Sequence, residues 1–423
     1  MDYIFYTSFS IIFFSLGFVS TSNLKYKGIA LKGIALKGFI YLTTLLPITK
    51  VILVYHLKYQ VSVYYFFFIP LVFLYFEKLL FSRYVKKKTF DALVLILLFI
   101  ILYIIYLFIN PVKDISAINV LKDIKPFVLI FLSFLFIDYY KESLKSILTK
   151  KFCERLILYY FIISTIFFYL LVKYNLHLVL TDDKYFTINE FRYETIGNYF
   201  GIIYILNSIF QSKKLSFKII MLVLLPTLYT GNRTLLFSIL VIIIIYYLLK
   251  MSAKRIKIFA SIFGVLFLIL SYFINIANEL SPLFRFQKLY KAEFIIESLV
   301  NRYSPFIDTI KSYSISEYFI GTGFGQTFFI PWFTWRDHID DYNIYVDSLY
   351  LTLYAKYGVF FIVTFILMYY YLSTYLSKQT RFYFFLMILI ISVTNAMVYQ
   401  FNFLWIFILL AMPFRSDLGT SAR

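Results

Sequence analysis

The chain has 423 residues, 61% of them hydrophobic and 15% charged, with a mean hydropathy of +0.81. Soluble domains run near 45 to 50% apolar and 25% charged, so this composition describes a polytopic membrane protein and excludes an ordinary soluble enzyme. The 41 Tyr and 52 Phe exceed what interfacial belts hold, so many must face lipid or neighbouring helices. Cys153 is the one cysteine, which excludes an internal disulfide and any multi-cysteine metal site. His56, His177 and His338 are scattered without metal-ligand spacing, so neither a metal nor a cofactor is expected.

Apolar runs near the length of a membrane-spanning helix occur at 3–20, 39–55, 61–82, 91–110, 126–140, 156–174, 196–212, 218–230, 234–249, 258–276, 348–376 and 382–413. The last is long enough for two spans turning near Asn395 to Tyr399. The expected fold is therefore all-α, with 12 to 13 transmembrane helices. It divides into a helix bundle over 1–276, a large extracytoplasmic loop over 277–347, and C-terminal helices with a short cytoplasmic tail over 348–423.

Charge placement sets the orientation. One set of alternate loops (21–38, 83–89, 141–155, 213–218, 250–257, 377–381 and 413–423) holds 24 Lys/Arg and three Asp/Glu. The opposite set holds 13 against 16. The first set is cytoplasmic by the positive-inside rule. The net charge of +19 is thereby accounted for, and a nucleic-acid partner is not expected. Residues 27–39, KGIALKGIALKGF, repeat KGIAL and read as a basic juxtamembrane segment beside anionic lipid.

The loop at 277–347 is too long for a mere connection. Its first half, residues 281–313, has the mixed three-and-four spacing of an amphipathic helix lying on the membrane surface. Its second half is rich in Gly, aromatic and acidic residues and reads as an irregular binding loop.

Several groups there bear chemistry. Arg233, in LLPTLYTGNRTLLFSILVIIII, stands between two apolar runs at an outward-facing turn. It reads either as a snorkelling residue or as a planar, permanently charged fork for phosphate oxygens. Arg302 in LVNRYSPF and Arg192 in EFRYETIGNYFG sit at membrane boundaries on the same side, and three such arginines suit a polyanion. The glycines of GTGFG (Gly321, Gly323 and Gly325) lack dinucleotide-site spacing and read as a turn that brings backbone close to something. Asp347 opens DSLYLTLYAKYG as a helix cap or as a general base. His338 is the competing base, with Asp340 and Asp341 as acceptors for sugar hydroxyls.

RYETIGNYFG, GNRTLL, NRYSPF with GTGFG, and DSLYLTLYAKYG follow one another in an order that resembles the O-antigen polymerase and O-antigen ligase superfamily of bacterial inner-membrane proteins. The resemblance covers about sixty residues. Two departures are Asn232, where the family usually has Ser before Arg, and Asp347–Ser348 in place of His-Asn; the second tilts the reading towards a polymerase.

What the resemblance implies is a metal-independent glycosyltransferase, without a cofactor, acting on glycan carried by undecaprenyl pyrophosphate at the periplasmic face of the inner membrane. Arg233, Arg302 and Arg192 would hold the pyrophosphate, and Asp347 or His338 would deprotonate the acceptor hydroxyl. Trp332, Trp335, Tyr342, Tyr345 and Tyr350 would meet the sugars with Asp340 and Asp341. Membrane lipids, a chain-length regulator and a flippase are the implied partners. The competing readings are the ligase, which moves finished glycan to an acceptor, and a lipid-linked oligosaccharide flippase or other secondary transporter.

Overall fold

The structure is a computed structural model that describes residues 2–22, 24–26, 29–45, 63–81, 87–109, 116–174, 196–210, 216–229, 233–250, 292–330, 342–375 and 378–399, with 261, 264, 268, 271 and 272. The described residues are mostly helical. Among the described residues strand is confined to two antiparallel pairs of two residues each, β1 (Lys25–Tyr26) with β2 (Ile29–Ala30) and β3 (Phe328–Phe329) with β4 (Tyr342–Asn343).

The helices in chain order begin with α1 (Asp2–Thr21), α2 (Leu31–Leu45) and a 3-10 turn Val63–Phe68 running into α3 (Ile69–Leu80). They continue with α4 (Lys87–Ile109), α5 (Ala117–Ile147), α6 (Lys150–Tyr174), α7 (Ile196–Phe210), α8 (Phe217–Tyr229) and α9 (Arg233–Lys250). Then come α10 (Ala292–Ile310), α11 (Ile315–Ile320), α12 (Leu349–Tyr357), α13 (Phe361–Tyr375) and α14 (Lys378–Ser392). Among the described residues two helical stretches are long and apolar enough to cross a membrane, Val63–Leu80 and Lys150–Tyr174. Shorter apolar stretches include Leu93–Tyr106 and Leu235–Tyr246.

The described parts of the expected apolar runs fall on helices, with three informative differences. The second KGIAL copy is helical, because α2 already starts at Leu31, where Ala, Leu and Lys favour helix. The run at 126–140 is the middle of the 31-residue α5, which carries Pro126 inside it. The run at 348–376 is broken at Gly358, whose φ of +53 ends α12 before a 3-10 turn leads into α13. The 258–276 run, apart from a few of its residues, and the second half of the 382–413 run lie outside the described residues.

By compactness the chain falls into two units, Met1–Leu74 with Glu142–Phe294, and Tyr75–Lys141 with Ile295–Arg423. In the first, Phe39 stacks on Phe67 at 3.7 Å between ring centroids, and Gly17 lets α1 lie against the backbone of Phe67. In the second, Phe99, Tyr103, Phe127, Phe324 and Tyr357 form one aromatic cluster with centroids 4.7 to 6.3 Å apart. Phe324 belongs to GTGFG, so the glycine turn is nailed into the core of this unit by its own aromatic residue.

Candidate functional site

The amphipathic helix expected in the large loop is α10. Its Phe306 packs inward with Phe328, Val346 and Ala355, which orients the helix and leaves Arg302 one turn earlier on the flank. Arg302 Nε lies 3.4 Å from Asp347 Oδ2, with side-chain exposures of 21% and 53%. Two residues assigned chemistry from separate motifs, 45 positions apart, thus meet as an ion pair open to solvent.

Asp347 is not the helix cap. Ser348 takes the N-cap position of α12 and makes no side-chain cap bond, while Asp347 stands one residue earlier with its carboxylate outward. Val346 and Leu349 on either side are fully buried. Thr352, also buried, accepts the Val346 N–H at 3.1 Å and donates to Ser348 O at 2.8 Å. The backbone around Asp347 is therefore held from inside while its side chain is presented.

The other end of α12 is capped by the glycine turn. A helix leaves its last carbonyls without partners. Here Tyr354 O accepts from Gly358 N–H, Ala355 O from Thr322 N–H at 3.1 Å, Lys356 O from Gly323 N–H at 2.8 Å, and Tyr357 O from the Tyr103 hydroxyl at 3.2 Å. Tyr313 adds a bond from its hydroxyl to Ala355 O at 3.0 Å. Burial pushes this phenol up to about 12, so it remains a donor throughout the physiological range. Gly321, Gly323 and Gly325 have φ of 79, 84 and 93, a region that favours glycine, and a Cβ on Gly321 would collide with the backbone of Lys356 and Tyr357. GTGFG is the close-approach turn its composition indicates. Its N–H groups at Thr322, Gly323 and Gly325 serve protein acceptors.

Gly325 N–H donates to Asp123 Oδ2 at 2.7 Å. Asp123, from α5, pairs with Lys356 of α12, whose Nζ lies 2.5 Å from both carboxylate oxygens and donates to Gln326 O at 2.9 Å. Both side chains are at 0% exposure. The sequence reading missed Asp123, which looks like one more charge in a polar connection. Lys356 carried a signal, since a lone ammonium in an apolar run demands a partner, but nothing in the sequence says that the partner lies 233 residues upstream.

Tyr350, assigned to sugar, already has partners at both ends. Its hydroxyl donates to Leu389 O at 2.8 Å and its ring stacks on Phe365. Tyr345 stacks on Tyr399, and Tyr342 tilts against Phe329. Arg233 is the first residue of α9, and its side chain lies outside the described residues, as do Arg192, Trp332, Trp335, His338, Asp340 and Asp341 altogether. Among the described residues no His, Cys, Asp and Glu group could hold a metal ion.

These features define an all-α protein in which Asp347, at the head of a short helix pinned at both ends, meets Arg302 of α10 in an ion pair. The chain belongs to DUF6369, a family of unknown function whose model matches residues 135–420, a range that includes Arg302, the glycine turn, Asp347 and Lys356 but not Asp123. No curated protein and no solved structure matches it.

Proposed function

We propose that this chain is a polytopic inner-membrane glycosyltransferase that joins lipid-linked oligosaccharide repeat units into a surface polysaccharide, in the manner of the O-antigen polymerases it resembles. The observation that carries the reading is the Arg302–Asp347 contact, which puts an anion-binding group beside a candidate base. A membrane setting is supported by the two long apolar helices and by the apolar side chains that α4 leaves exposed, among them Leu98, Ile101, Leu102 and Phe108. The finer count of 12 to 13 spans and the extracytoplasmic side of the 277–347 loop rest on the run lengths and the loop charges.

In this reading the incoming pyrophosphate competes with Asp347 for the guanidinium. An ion pair this exposed contributes only about 0.2 to 1 kcal/mol, so a dianionic group displaces it readily. The displaced carboxylate takes the proton of the acceptor hydroxyl as that oxygen bonds to the anomeric carbon. The bond from that carbon to the pyrophosphate oxygen breaks, and Arg302 stabilises the charge that leaves. Direct attack inverts the anomeric centre.

The test is deletion of the gene and complementation with wild type, Arg302→Ala or Asp347→Ala at matched membrane levels, followed by electrophoresis of the surface glycan. The expected result is a ladder reduced to a single repeat unit for both variants. Long polymer retained on its lipid carrier would support the ligase reading. A surface without even single units would support the flippase, a reading to which the buried Asp123–Lys356 charges lend some weight, because transporters carry ionisable groups between their helices. An unchanged ladder in both variants would remove the site.

A further inference from the structure

The Arg302–Asp347 contact joins a half-exposed carboxylate to a partly buried guanidinium through a single 3.4 Å approach, too weak to hold its own geometry, so other interactions must set it. Asp347 is rigidly joined to α12, a helix of nine residues and about 13 Å. Whatever fixes α12 along and around its axis therefore fixes the carboxylate. At the far end of α12, Lys356 reaches both oxygens of Asp123 and Gln326 O, while Asp123 also takes the Gly325 N–H. Three separate stretches of chain, α5, the glycine turn and α12, converge on one pair of charges. Burying two charges costs several kcal/mol per ion, and apolar replacements are often as stable or more so. Stability alone is thus a poor account of the pair, whereas its directional bonds specify one placement of α12.

We infer that the buried Asp123–Lys356 pair positions the Arg302–Asp347 site, setting where α12 lies between α5 and the glycine turn and so keeping the carboxylate within reach of the guanidinium. This rests on reading Arg302 and Asp347 as the working pair. Asp123 and Lys356 are positioning residues in it and touch no substrate.

The test uses the full chain in membranes, with Cys153→Ser removing the one native thiol. Arg302→Cys and Asp347→Cys then carry a short, membrane-permeant bis-thiosulfonate cross-link, whose rate reports their approach without requiring activity. The comparison is with the same protein carrying Asp123→Asn and Lys356→Met, which removes both charges together. Asn keeps an acceptor for Gly325 N–H and Met keeps the length of the side chain.

The expected result is normal accumulation with cross-linking slowed by about tenfold, the factor that corresponds to about 1.4 kcal/mol of lost positioning. An unchanged rate overturns the inference. So does failure of the doubly substituted protein to accumulate, because the pair would then hold the fold and not the site. The two readings fail separately: an unchanged ladder with Asp347→Ala removes the proposed function, while the cross-linking rate judges only the positioning.

Discussion

At the scale of single residues, Lys356 and Asp347 show how burial changes what a charge means. Asp347 is half exposed, and its partner is an arginine whose loss leaves the carboxylate solvated. Lys356 is fully buried, so its removal leaves Asp123 charged and uncompensated. Lys356→Met alone is therefore expected to destabilise the protein by about 3 to 5 kcal/mol, whereas Asp123→Asn with Lys356→Met together should recover most of that loss. Thermal unfolding in detergent of the two variants beside wild type checks this, and equal losses in both would contradict the pairing. Arg302 and Asp347 stand out as candidates in the sequence because each has a distinctive local setting. Asp123 does not, because no local feature separates a buried aspartate from a solvated one.

At the scale of elements, α12 is the organising piece. Its length was hidden in the sequence within one apolar run, because hydropathy does not register the φ of +53 at Gly358 that ends the helix. The glycine turn was legible as a close approach, though what it approaches was not. Gly321 has φ 79 and ψ −176, a conformation essentially reserved for glycine, and lies against the backbone of Lys356. Gly321→Ala is expected to cost at least about 1 to 3 kcal/mol from the backbone conformation, before the collision is counted. Gly33 in α2 faces open space, so Gly33→Ala is expected to be neutral or to stabilise by up to about 1 kcal/mol. Accumulation and melting temperature of the two variants, measured side by side, decide the matter.

At the scale of the whole molecule, composition and the loop charges predict a membrane setting and an orientation in it. The orientation expected from the loop charges would place Ser312, exposed just beyond α10, outside, and Lys254 inside. In a Cys153→Ser background, an impermeant thiol reagent is expected to label Ser312→Cys in intact cells and Lys254→Cys only after permeabilisation. The reverse pattern would put Arg302 and Asp347 on the wrong face for the periplasmic reaction proposed above.

Readable from the chain alone are the apolar, helical character, the charge asymmetry between alternate loops, the amphipathic α10 and the candidacy of Arg302 and Asp347. These follow from composition and from periodicities that act over a few residues. Tertiary structure alone decided that Arg302 and Asp347 face each other, that Ser348 and not Asp347 takes the cap position, that GTGFG closes the end of α12, and that Asp123 partners Lys356. Each of these joins residues far apart in the chain, and such pairings are selected by which buried charges and carbonyls are left without water when the helices pack.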